Sequence, residues 1–184
     1  MTTAADVTER QIVRSGTTLL HAMEPLDADT FFAENPDGFS AAWVVGHQAC
    51  VADLFSSWFD DGELLFTESF HQVFNETGIE TGLTMMSKAA TVSRSQYPKG
   101  LLLLRFRQGV SKALRVLRSF GVENWDSPGP PGTPVPLLTG GEVWEHLARH
   151  GDWHNGQLAG SMPVFFFTYT LNTLSHYFYE PPDT

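Results

Sequence analysis

Apolar positions recur at steps of three and four through most of the chain, which is the period of a helix. No stretch shows the strict alternation of a half-buried strand. Four segments carry the helical pattern. The first runs from about Asp6 to Glu24, with Val13, Thr17 and Leu20 on one face and Ile12, Leu19 and Met23 beside them. Asp6 with Glu9 resembles a capping box, and Pro25 stops the helix. The second runs from about Ser40, a natural N-cap, to Phe59. Its stripe is Val44, His47, Val51, Phe55 and Trp58, which puts a histidine on the core-facing side. The third, from about Pro98 to Phe120, repeats Leu103, Phe106, Val110, Ala113, Leu117 and Phe120. Pro98 suits the first helical position and Gly121 the stop. The fourth, from about Gly140 to Ser161, opens on a T-x-x-E box of Thr139 and Glu142. Its stripe of Val143, Leu147, His150, His154 and Leu158 contains two more histidines.

Two regions lack a clear period. Asp60 to Gln96 reads as a long excursion holding one or two short helices. The aromatic segment after Pro163 reads as a fifth helix or an extended packing arm. Between the third and fourth helices, Pro128, Pro130, Pro131, Pro134 and Pro136 exclude helix and central strand and predict a stiff surface loop. Four amphipathic helices without strands predict an all-α, four-helix bundle, and the long second connection leaves room for a crossover. At 184 residues the chain is long enough for one domain, 1–184, with a core over about 6–161 and an extra C-terminal segment over 162–184.

Composition narrows the function classes. Eleven Lys and Arg stand against 21 Asp and Glu, a formal charge of -10. Such a chain repels phosphate backbones and anionic lipid, so no nucleic acid and no membrane partner is expected. Cys50 is the single cysteine, which excludes an internal disulfide and a cysteine-based zinc knuckle. The first residues carry no basic, then apolar, leader, and no apolar run approaches the length of a membrane span, so a cytoplasmic location is expected.

Seven histidines raise the question of whether some converge. In His150-Gly-Asp-Trp-His154-Asn-Gly-Gln157 the two histidines are one turn apart on a helix, a spacing at which both imidazoles can bind one ion at roughly 2.0–2.1 Å. With His47, three imidazoles occupy core-facing positions, where an imidazole without partners is costly. A divalent cation satisfies all three, and facing helices of a bundle are a usual place for such a site. From spacing alone, ordinary core or surface histidines explain the pattern equally well. Three protein ligands leave a fourth position open. Water there has its pKa lowered from 15.7 towards about 7, and a thiol there is deprotonated.

The same residues carry a resemblance. Trp43-Val44-Val45-Gly46-His47, the segment KGLLLLRFRQGVSKALRVLRSF, and GGEVWEHLARHGDWHNGQLAG with its H-x3-H-x-G-Q core are similar to the DinB/YfiT-like superfamily of helical-bundle metalloproteins. The resemblance spans roughly Asp6 to Ser161. It implies a four-helix bundle with a crossover connection, a divalent metal (zinc or nickel) on His47, His150 and His154, and a homodimer. Relatives include transferases and an isomerase that use low-molecular-weight thiols, so it also implies such a thiol as co-substrate. The long excursion and the aromatic tail depart from the family pattern and bear on the substrate pocket.

Three readings compete. The first is a metal-dependent enzyme that activates a low-molecular-weight thiol or water, of the thiol S-transferase, isomerase or hydrolase type, acting on a small-molecule substrate. The second is a non-catalytic metal-binding stress-response protein whose ion ties two helices together. The third is a helical interaction module without metal. An enzyme's ion keeps an open position, whereas a structural ion is closed by a fourth protein atom such as Cys50 or His146. Gln157, one turn beyond His154, either bonds a ligand imidazole or bridges helices. His146 is expected at the periphery. Cys50 is expected as a small buried thiol, with soft metal ligation the sharper alternative. Asp53 is expected off the core stripe and Asp152 in solvent, while His21, His71 and His176 show no partner pattern. The basic positions of the third helix, Arg105, Arg107, Lys112, Arg115 and Arg118, read as a solvated face that could recruit a carboxylate-bearing thiol. The chain lacks H-E-x-x-H, a P-loop, G-x-G-x-x-G and G-x-S-x-G, which argues against thermolysin-type, nucleotide-binding and serine-hydrolase chemistry.

Overall fold

The computed structural model describes residues 2–35, 38–75, 91–130 and 139–161. Parts of the proline-rich connection (131–138) and of the excursion (76–90), and the whole aromatic segment 162–184, lie outside the described residues. The described residues form six α-helices: α1 Ala4–Met23, α2 Ala28–Phe32, α3 Ala41–Ser57, α4 Glu68–Asn75, α5 Lys99–Phe120 and α6 Gly140–Ser161. A 3-10 turn, Val122–Asn124, follows α5. Two isolated β-bridges, Glu34 with Ser40 and Pro128 with Thr139, close the loops before α3 and α6, and no strand occurs among the described residues. No described helix is long and apolar enough to cross a membrane.

The helix boundaries follow from local hydrogen bonding. Thr3, not Asp6, caps α1. Its backbone N–H donates to Asp6 Oδ2 (2.7 Å), and its hydroxyl accepts from the Asp6 N–H (3.1 Å). The box is T-x-x-D, set three residues before the expected D-x-x-E, because Thr3 sits in extended backbone and Ala4 already takes helical angles. Ser40 accepts from the Trp43 N–H at 3.1 Å, as expected. Thr139 and Glu142 satisfy each other's backbone N–H groups at 3.2 and 2.8 Å, also as expected. Pro98 is the N-cap of α5 and lies just outside the helix, with φ and ψ in the extended region. Gly121 ends α5 at φ +77°, a conformation that side-chain-bearing residues rarely adopt.

The four long helices, α1, α3, α5 and α6, form the bundle. Asp53 pairs with Lys112, and the backbone of Ala49 meets Gly109, so positions on α3 and α5 rise together and these neighbours are parallel. Phe55 stacks on His146 and His47 meets His154, so α3 and α6 are antiparallel. Glu9 pairs with Arg118 and Glu24 with Arg107, so α1 runs antiparallel to α5. Two parallel neighbours require the chain to return to its starting end, and the long connection between α3 and α5 makes this return. The expected crossover is therefore present, and α4 rides on it.

α3 is the central element. All but His47 and Leu54 of its 17 residues are buried, so it has no apolar stripe as such. Its buried polar side chains, Gln48, Asp53, Ser56 and Ser57, lie among apolar ones. At Gly109 a Cβ would come within 2.7 Å of the Ala49 carbonyl oxygen, which shows how closely α5 approaches α3. On α1 the buried face is Thr8, Ile12, Ser15, Gly16, Leu19, Ala22 and Met23. It is rotated from the expected Val13–Thr17–Leu20 face, because small side chains, Ser15 and Gly16, make the close approach: Ser15 faces Gly151 of α6, and Gly16 faces Phe106 and Val110 of α5. Two apolar clusters fill the interior. One surrounds Phe31, Trp43, Phe70, Phe74 and Phe106, and the other surrounds Phe55, Leu117, Val143 and Trp144.

Candidate metal centre

The histidine site lies on the α3–α6 seam. His47 projects from α3, and His150 and His154 from successive turns of α6. His47 Nε2 is 3.3 Å from His150 Nε2, and His154 Nε2 is 3.2 Å from the same atom. One ring nitrogen from each of the three lies within 4.8 Å of the other two. His154 is buried and the other two are partly buried. The Trp43 indole, one turn before His47, stacks on the His47 ring at 4.6 Å between centroids and 9° between planes. Trp153, 45% exposed, lies beside His154 at the solvent edge.

The outer nitrogens determine what the inner ones can do. His47 Nδ1 is 2.7 Å from the backbone carbonyl oxygen of Phe74, and His154 Nδ1 is 2.7 Å from Gln157 Oε1. A carbonyl oxygen only accepts, so both Nδ1 atoms carry the proton and donate it. Both Nε2 atoms are then bare lone pairs facing His150 Nε2. That nitrogen has at most one hydrogen to give, so mutual hydrogen bonding leaves one of the two contacts as lone pair against lone pair. A cation removes the conflict. Nitrogens at about 2.0–2.1 Å from a tetrahedral ion lie roughly 3.3 Å apart, which agrees with the two short contacts. The residues thus fit a divalent metal.

Electrostatics favour the same state. Burial drives the His47 imidazole down to about 4, against the opposing hydrogen bond to Phe74. Burial, then the neighbouring His47, drive His154 to about 3, against the hydrogen bond to Gln157. Burial and then His154, His47 and His146 hold His150 well below its ordinary value. All three rings are neutral near pH 7, the form that ligates metal.

The remaining candidates take separate places. Gln157 Oε1 accepts from the His154 Nδ1–H at 2.7 Å. His146 stacks on Phe55, and its ring centroid is 6.1 Å from that of His150, at the edge of the site. Cys50 is fully buried with its Sγ 3.9 Å from the Phe70 carbonyl oxygen. Burial, then the Asp53 carboxylate, push its thiol well above the ordinary value, so it is inert. Neither Cys50 nor His146 belongs to the converging group.

Several sequence-based expectations need correction. Asp53 is completely buried. It accepts from Lys112 Nζ (2.8 Å), His71 Nε2 (2.9 Å) and the backbone N–H groups of Leu65 and Phe66. Lys112 is therefore not part of a solvated face, and His71 does have a partner. Asp152 is not simply solvated: it accepts from Gln11 (2.9 Å) and Arg14 (3.3 Å) of α1. Arg107, Arg115 and Arg118 pair with Glu24, Asp60 and Glu9, and Arg105 lies over the Phe66 ring. The three paired arginines stay 48–62% exposed, so these positions form the solvated face that was expected. No local motif announced the partners, which come from other helices and loops. The Phe74 carbonyl was equally hidden, since a backbone acceptor has no residue signature.

A family model described as the DinB superfamily matches residues 11–158. No curated protein and no solved structure gives a significant match to the chain. The match runs from α1 to the last turns of α6 and includes all three converging histidines, and the chain belongs to the DinB superfamily.

Proposed function

We propose that the protein holds a divalent metal, zinc or nickel, on His47, His150 and His154 and is a metal-dependent enzyme. The observation that carries the reading is the convergence of three neutral Nε2 atoms while two Nδ1 atoms are held by carbonyl oxygens. Three imidazoles suit both metals. When bound, such an ion supplies a Lewis acid that makes a water or a thiol in the remaining position a nucleophile near neutral pH. His47 and His154 are oriented for ligation by Phe74 and Gln157, Trp43 walls one side with its indole face, and Trp153 borders solvent.

The reading of a thiol S-transferase or isomerase with a low-molecular-weight thiol, or of a hydrolase using water, follows from what the family resemblance implies. The acidic charge of -10 supports a small-molecule substrate over nucleic acid. An open position is favoured over a closed structural ion because, among the described residues, Cys50 and His146, the expected candidates for a fourth ligand, lie outside the converging group. Elemental analysis of tag-free protein tests the metal. About one ion per chain is expected in the parent and almost none in the His150→Ala, His154→Ala double variant, and equal content in the two overturns the site. A screen of small thiols against electrophilic substrates then tests the activity.

A further inference from the structure

Residues His47, Cys50 and Asp53 follow one another at steps of three along α3, so they share one side of that helix. Each of the three meets α4 or the loop that leads into it. His47 Nδ1 donates to the Phe74 carbonyl at 2.7 Å. Cys50 Sγ lies 3.9 Å from the Phe70 carbonyl, one turn earlier. Asp53 accepts from His71 Nε2 at 2.9 Å and from the Phe66 N–H at 3.0 Å. Phe74 lies in α4, Glu68–Asn75. Its ring is fully buried in the cluster around Trp43 and Phe106. The ring comes so close to α3 that a Cβ at Gly46 would sit 2.2 Å from Phe74 Cε1. Real Cβ contacts essentially never fall below 3.0 Å, so any side chain at position 46 displaces Phe74.

We propose that α4 is a clamp that presets His47 for metal: the Phe74 carbonyl positions the imidazole and selects its tautomer, Gly46 provides the gap that admits Phe74, and the Asp53–His71 contact secures the other end. The inference rests on the metal reading of the three histidines. The energetic logic is that of an outer partner to a ligand imidazole. Without the carbonyl the ring divides between two tautomers and more than one orientation, and only one of these turns the Nε2 lone pair towards His150 and His154. By linkage, metal binding in turn tightens α4 on α3. Asp53 and His71 then act on the site without touching it, through a helix that spans the distance.

The experiment uses the full chain and zinc ion alone. Zinc affinity is measured by chelator competition, and the His47 tautomer by ring 15N shifts in metal-free protein. Four chains are compared: the parent, Gly46→Ala, His71→Ala, and Leu117→Ala as a core-weakened control in the other apolar cluster. The parent is expected to show His47 with its proton on Nδ1. Gly46→Ala is expected to lose about ten- to a hundredfold in zinc affinity and to populate both tautomers. His71→Ala is expected to shift both readouts in the same direction by a smaller factor, and Leu117→Ala to match the parent. Parent-like affinity and tautomer in Gly46→Ala and His71→Ala overturn the clamp. Should Gly46→Ala fail to fold, His71→Ala decides. If the parent binds no zinc, the metal reading fails, and the tautomer result alone then supports or overturns the clamp.

Discussion

Lys112 Nζ of α5 lies 2.8 Å from Asp53 Oδ1 of α3, with the two side chains 7% and 0% exposed. The same ammonium donates to the Glu63 carbonyl, and the same carboxylate accepts from His71 and from two backbone N–H groups. One ion pair thus joins α3, α5, the loop after α3 and α4. Removing one partner of a buried pair leaves an uncompensated charge, and this costs more than the pair contributes to stability. Asp53→Ala is expected to lower stability by about 3–5 kcal/mol in urea unfolding. Asp53→Leu combined with Lys112→Met is expected to cost less than the sum of the two single changes. A loss below about 1 kcal/mol for Asp53→Ala would mean that water reaches the pair.

The same carboxylate gives an acid-stability signature. Burial by itself would raise the Asp53 pKa, but hydrogen bonds from His71, Lys112, Leu65 and Phe66 outweigh it and hold the group at about 2, against 3.8 ordinarily. Between these values the unfolded chain binds the proton and the folded chain does not, so stability rises with pH there. The contribution, on the order of 2 kcal/mol, is complete above about pH 4 and disappears as pH falls towards 2. Urea midpoints across that range are expected to fall more steeply in the parent than in Asp53→Asn.

Metal should stabilise the fold through the histidines alone. An ion that binds only the native state adds RT ln(1 + [L]/Kd), about 2.7 kcal/mol at a free concentration of 100 Kd. The parent is expected to gain this on addition of zinc, and the His150→Ala, His154→Ala variant to gain nothing. Thermal melts at several zinc concentrations check it.

Gln157 presents a carbonyl to His154 Nδ1 at 2.7 Å. Gln157→Leu removes the acceptor while keeping similar volume, and zinc affinity is expected to fall about ten- to a hundredfold. Gln157→Glu keeps an acceptor and is expected to bind zinc at least as tightly as Gln157→Leu by a factor of ten. Chelator competition separates the two; equal affinities would assign Gln157 to packing alone.

Gly109 tests the contact between the parallel helices. In a helix interior, glycine to alanine ordinarily stabilises by about 1 kcal/mol. Here the added Cβ would meet the Ala49 carbonyl oxygen at 2.7 Å, a backbone atom that cannot rotate away. Gly109→Ala is therefore expected to destabilise by about 1–3 kcal/mol. A gain in stability would mean that α3 and α5 can separate without loss.

The sequence by itself determined the helices and the histidines. Periodicity located α5 and α6, and a largely apolar run located α3, to within a few residues; each also carries a cap, Ser40, Thr139 or Gly121, that acts within a few residues of itself. His150 and His154 were legible as a pair for the same reason, since one turn of helix links them. Only the tertiary structure decided which polar groups meet across the bundle. The Phe74 carbonyl on His47, the burial of Asp53 with Lys112 and His71, and the pairing of the basic positions of α5 all join residues far apart in the chain. Such contacts depend on the parallel arrangement of α3 and α5 and on the rotation of each helix about its axis. The helices meet at close approaches of small residues, Gly46 to Phe74, Gly109 to Ala49 and Gly151 to Ser15, whose absent side chains leave no mark in a hydrophobic pattern.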